Sequence, residues 1–110
     1  MTITQYRRKA DRSYQEKYRA KRCEVCGRHA QVVHHFFPKS IASSLRYDKG
    51  NGVSLCNVCH FKHHNGDPSI HARILKIRGD KWFKELEERR KKKVRITVDY
   101  FKKVIGDKRS

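Results

Sequence analysis

Apolar positions along this chain recur in short, punctuated runs. Gln31-Val32-Val33-His34-His35 reads as a strand that Pro38 ends, and Val53-Ser54-Leu55 as a second, entered through the turn Lys49-Gly50-Asn51-Gly52. The connection from Phe36 to Gly52 is long for so small a chain, with one or two helical turns expected over Ser40 to Leu45; long ordered loops usually carry function. From Asn57 or Val58 a helix should run through His64 and end at Asn65-Gly66 in a left-handed cap. Asp67 as N-cap and Pro68 at the first helical position start another, whose apolar stripe is Ile70, Ile74 and Ile77. Gly79-Asp80 breaks it. A further helix follows with Trp82, Phe83 and Leu86 on one side and the pairs Glu85/Arg89, Glu87/Lys91 and Glu88/Lys92 at ion-pair spacing. Val94 to Val98 alternates like a strand, and Asp99 to Ile105 closes the chain as a helix. At the other end, Tyr14 and Tyr18 share a face of a helix expected from about Asp11 after a frayed start, with a solvated tail as the alternative.

These elements amount to one small α+β domain. With 110 residues, 36% of them hydrophobic and 35% charged, the chain cannot bury a generous core and needs a staple. The pattern divides into a basic N-terminal arm or helix (1–22), a central core (23–66) and a basic helical extension of the same domain (67–110).

Charge changes the picture next. A formal net charge of +17 exceeds what solubility requires and marks a polyanionic partner, nucleic acid first. Eight Lys/Arg lie in residues 1–22, and Arg89, Arg90, Lys91, Lys92 and Lys93 form a run suited to phosphate contact. No clean apolar helix face accompanies these charges, so a membrane surface is not the expected partner. The first residues do not resemble a signal peptide, and no apolar stretch of about 18 residues occurs, so a cytoplasmic protein is expected.

The candidate chemistry sits between Cys23 and His64. Cys23/Cys26 and Cys56/Cys59 are two C-x-x-C pairs separated by 29 residues, and in a reducing compartment such pairs suit structural zinc rather than disulfides. A redox C-x-x-C would want a single pair in a thioredoxin-like context, which is absent. His34-His35 ends one strand, and His60 and His64 are one helical turn apart on one face, with His63 the alternate. One helix face opposite one strand end can present three imidazoles to one cation.

The order C-x-x-C, His-His-x-x-Pro, Arg-Tyr-Asp-x-x-Asn-Gly-Val-x-Leu-Cys-x-x-Cys-His resembles the cysteine-containing version of the HNH endonuclease family, and is similar to small phage-encoded HNH proteins of the NinG/Rap kind. The resemblance implies a zinc-stapled ββα-metal (His-Me finger) core with flanking basic helices. It implies His35 as the general base, Asn51 as the residue that fixes the loop and the base or reaches the metal, and His34, His60 and His64 as ligands of one catalytic divalent ion. Lys39 or Arg46 would add a positive contact to the scissile phosphate. His34 stands where the family often has Asp, and an imidazole set suits Zn2+, Ni2+, Co2+ or Mn2+ better than Mg2+. The implied activity is hydrolysis of DNA by nicking or double-strand cleavage to 5′-phosphate and 3′-hydroxyl products, in host cytoplasm if the protein is phage-encoded. Double-stranded DNA is the leading partner, with structured or branched DNA also compatible. The competing reading is a zinc-dependent DNA- or RNA-binding module without cleavage, which would not need both His35 and Asn51.

Overall fold

The computed structural model describes residues 1–106. Its elements are α1 (Ile3–Tyr18), β1 (Val32–His35), β2 (Gly52–Leu55), α2 (Asn57–His64), α3 (Pro68–Arg90) and α4 (Val98–Gly106), with single 3-10 turns at Ser43–Leu45 and Lys49–Asn51 between the strands. The strands pair antiparallel, Val33 opposite Ser54 and His34 opposite Val53. α2 packs against both strands and against α3. This is a small α+β fold with a ββα unit at its centre.

The local signals explain why the central elements form where they do. Cys56 caps α2, its sulfur accepting from the Cys59 amide, and Asn65 and Gly66 end the helix. Asp67 caps α3 through the Ser69 amide, with Pro68 at its start. At Gly79 the backbone takes φ 87° and ψ 169°, which bends α3 sharply and favours glycine there. The expected stripe is shorter than its spacing suggests: Ile70 and Ile74 are buried, but Ile77, two residues before the bend, is 53% exposed. Beyond the bend, Leu86 is buried and Trp82 and Phe83 pack against Phe36, joining the core of Leu45, Val53 and Leu55.

Three sequence expectations are corrected. The N-terminal helix begins at Ile3 rather than Asp11, because Thr2 and Gln5 form a reciprocal capping box. It is neither frayed nor a solvated tail: Ala10 and Tyr14 are buried, and α1 packs on α4. The strand expected over Val94 to Val98 is absent; residues 94–97 are irregular and α4 starts at Val98. Alternation needs a neighbouring strand, and both edges of the sheet are already occupied. The Gln15 side chain bonds the amide and carbonyl of Val33 on one edge at 2.8 and 2.9 Å, and the Glu24 amide donates to the Ser54 carbonyl on the other. The ion pairs at the end of α3 are Arg90–Glu87 and Lys91–Glu88, three apart rather than four, while Arg89 reaches Asp48 in the long loop. Of the extension expected over 67–110, residues 107–110 lie outside the described residues.

Gln15→Ala would strip both partners from Val33 at the sheet edge. It is expected to lower unfolding free energy by about 1–3 kcal/mol, measured as a lower urea midpoint for zinc-loaded protein with unchanged helix content; an unshifted midpoint would show that the edge does not depend on Gln15.

Candidate metal centres and the histidine cleft

Two groups of metal-binding side chains come together on the ββα unit. The first is Cys23, Cys26, Cys56 and Cys59, whose sulfurs all lie within 4.8 Å of one another. A tetrahedral zinc with Zn–S bonds near 2.3 Å would place its sulfurs about 3.8 Å apart, and Cys26 and Cys56 are at 3.5 Å. The knuckle that presents Cys23 and Cys26 closes through the Gly27 amide, which donates to the Cys23 carbonyl, and Gly27 has φ 78°, where a side chain would be strained. Burial pushes the Cys23 thiol up, but hydrogen bonds from the backbone of Cys26, Cys56 and Val25 outweigh it and bring its pKa down to about 7. That favours the thiolate, the form that binds metal. The donor set, the spacing and the burial of three of the four cysteines all fit zinc.

The second group is His34 from the end of β1 with His60 and His64 from α2, one ring nitrogen of each lying within 4.8 Å of the others. The His60 and His64 Nε2 atoms are 2.9 Å apart. Two nitrogens bound to one ion at 2.0–2.1 Å would sit about 2.9 Å apart at a right angle and about 3.4 Å apart at a tetrahedral angle. The pair is therefore within reach of one cation, and without it the two rings share a hydrogen bond. Burial, then the neighbouring imidazoles of His63, His60, His64 and His35, lower the His34 pKa to about 3, which keeps its lone pair free of a competing proton. His60 is lowered in the same way, by burial and then by His64 and His63.

His63 borders the same cleft on the side toward His71. Its ring faces His34 at 4.6 Å between centroids and runs parallel to His71 at 6.3 Å, and its Nδ1 is buried with no hydrogen-bond partner. Among the described residues it does not join the three-nitrogen group.

His35 lines the same cleft of about 530 Å³ as His34, His60, His63, His64 and Lys39. Its Nε2 is 2.8 Å from the Arg46 carbonyl oxygen, which can only accept, so Nε2 carries the proton and Nδ1 is left with a lone pair. Burial lowers the His35 pKa, opposed by that carbonyl and assisted by the cations Lys39 and Arg46. Under the ring lies Tyr14 of α1, stacked at 5.1 Å with the planes 14° apart. No motif pointed to Tyr14; its spacing from Tyr18 indicated a helix face and nothing about what that face would meet.

Asn51, paired with His35 in the sequence reading, is fully buried and lies beneath the loop. Its Oδ1 accepts from the Phe37 amide at 2.8 Å, and its Nδ2 donates to the Phe37 and Leu45 carbonyls at 3.0 and 3.2 Å. With those bonds made, it ties the loop together and has no free lone-pair nitrogen or exposed oxygen for an ion.

The cations expected on phosphate divide into two kinds. Lys39 is exposed in the cleft. The Arg46 guanidinium is held bidentate by Asp11 at 2.9 and 2.7 Å, and Arg89 is paired with Asp48 at 2.7 Å, so both are engaged in holding the fold. Arg90 pairs with Glu87 and lies over Phe37, Lys91 pairs with Glu88 at the surface, and Lys92 and Lys93 are exposed.

Residues 23–66, which contain both ligand groups and the whole ββα unit, match the family model for HNH endonucleases. The segment is an HNH domain, and its four clustered cysteines fit the zinc-containing subtype. No curated protein and no solved structure matches the chain. HNH domains are generally nuclease domains that use a divalent metal, so the match supports a nuclease-type function at the level of the family. Among the described residues no helix is long and apolar enough to cross a membrane.

Two outcomes test the ligand groups. Cobalt(II) loading should give the intense thiolate-to-metal absorption of a tetrahedral sulfur site in the wild type, and Cys56→Ser should lose it together with the folded circular dichroism spectrum; a folded mutant with intact absorption would contradict the cysteine staple. By titration calorimetry, His64→Ala should weaken ion binding at the imidazole group at least about 10-fold and His63→Ala should change it little; the reverse order would exchange their roles.

Proposed function

We propose that this protein is a metal-dependent endonuclease that hydrolyses DNA phosphodiester bonds in the cleft bearing His34, His35, His60 and His64. The observation that carries the reading is the position of His35. It sits beside the three converging ligand nitrogens, with Nε2 tied to a backbone carbonyl and Nδ1 left as a neutral base.

A divalent cation held by His34, His60 and His64 would supply positive charge against the scissile phosphate and the leaving 3′-oxygen. The protein's own residues do the rest. His35 takes a proton from water at Nδ1 as the water oxygen attacks phosphorus in line; its lowered pKa keeps it unprotonated at neutral pH and ready to accept. The P–O3′ bond breaks, leaving a 5′-phosphate and a 3′-hydroxyl whose proton comes from solvent. Lys39 steadies the phosphate from the cleft wall, and Asn51 keeps the loop between the strands in one shape. The imidazole ligand set favours Zn2+, Ni2+, Co2+ or Mn2+ over Mg2+. Double-stranded DNA is the proposed substrate, drawn by the basic surface; exposed Lys92 and Lys93 extend that surface beyond the cleft. The alternative, a zinc module that binds nucleic acid without cutting it, is supported by the cysteine cluster alone and leaves the His35 geometry without a use.

Plasmid DNA incubated with zinc-loaded protein and each of Mg2+, Mn2+, Ni2+, Co2+ and Zn2+, with a chelator control, is expected to be nicked or linearised. His35→Ala should lower the rate by about 10²–10⁴-fold with the fold and DNA affinity retained. Intact plasmid under every ion would remove the nuclease reading and leave the binding module. Affinity should fall steeply with added salt, and a flat dependence would mean that phosphate contacts do not drive binding.

A further inference from the structure

We infer that helix α1, which lies outside the HNH segment, is part of the catalytic apparatus: Asp11 and Tyr14 clamp the turn 46–48 and thereby hold His35 in position. The two residues are three apart and share a face of α1. Asp11 accepts from the Arg46 guanidinium at 2.9 and 2.7 Å and from the Tyr47 hydroxyl at 2.8 Å. The Tyr14 hydroxyl donates to the Asp48 carbonyl at 2.9 Å. Three consecutive loop residues are therefore anchored on one helix face, and the first of them supplies the carbonyl that holds His35 Nε2. Tyr14 closes the arrangement by stacking its ring on the imidazole itself.

The clamp fixes two things that a base needs. The carbonyl sets which nitrogen carries the proton, and the stacked ring sets the plane in which the other nitrogen points. Neither Asp11 nor Tyr14 lines the histidine cleft, so both act through His35 and are positioning residues. Close packing makes the fit stringent: a Cβ on Gly52 would come within 2.6 Å of the Tyr14 hydroxyl.

The inference rests on the nuclease reading for its kinetic consequence but not for its geometry, and the test separates the two. In zinc-loaded full-length protein well below its melting temperature, the His35 Nε2 proton should give a water-protected NMR resonance, with through-space contacts from the His35 ring to Tyr14. Asp11→Ala should lose that protection while the rest of the spectrum stays folded, and should lower kcat for plasmid cleavage about 10-fold or more with KM unchanged. Tyr14→Phe keeps the stack and removes one clamp bond, so it should retain the ring contacts and lose less activity than Asp11→Ala. An Nε2 proton equally protected in Asp11→Ala, or an unchanged kcat in a cleaving enzyme, would overturn the clamp. If the wild type cleaves nothing, the nuclease reading falls, and the resonance alone decides whether α1 holds His35.

Discussion

Four sulfurs drawn from the two ends of the central stretch meet within one small volume, and that closure brings the start of the stretch against the start of α2. The hydrophobic positions alone build a thin core around Leu45, Val53, Leu55, Ile74 and Leu86. A structural zinc in comparable small modules contributes about 10–16 kcal/mol at neutral pH, as large as the roughly 5–15 kcal/mol net stability of whole domains. In a chain this short and this charged, zinc held by the cysteine cluster would contribute as much as the rest of the fold together.

The same closure positions the second site. Cys56 is the N-cap of α2 and Cys59 is buried on its inner side; His60 follows directly and His64 one turn later. The sulfur cluster thus sets the start and rotation of the helix that presents two of the three imidazoles. The third, His34, comes from the strand paired with the one leading into Cys56, so few backbone degrees of freedom separate the two groups. The base belongs to a different support. His35 follows His34 on β1, but its orientation comes from the long loop and from α1, elements joined by one ion pair and two hydrogen bonds rather than by the cysteines.

What could be read from the sequence was what local chemistry encodes. Pro68 after Asp67, the C-x-x-C spacing and the one-turn separation of His60 and His64 each define geometry within a few residues, and the elements they mark form at those positions. The ligand residue types are also rare enough in this chain for their clustering to stand out. What could not be read depends on partners distant in sequence. Asp11 finds Arg46 and Asp48 finds Arg89 among 28 Lys/Arg, and no spacing rule selects them. The alternation of Val94 to Val98 has the right period but no edge to join, and Ile77 keeps the spacing of the stripe yet finds no core to cover it just before the bend at Gly79. Asn51 was recognisable as a motif residue, but its role depends on which loop atoms surround it, and those were set by tertiary packing.

The occupied sheet edges have a consequence for self-association. A two-stranded hairpin with bare edges invites pairing with a second chain, the usual route to strand exchange and fibrous aggregation. Here a glutamine side chain from α1 shields one edge and the zinc-knuckle backbone shields the other. A folded copy offers its neighbour no open ladder at these positions, so any assembly must be built from helix faces and loops, and a strongly basic protein that gathers on one polyanion can crowd there without its strands recruiting one another.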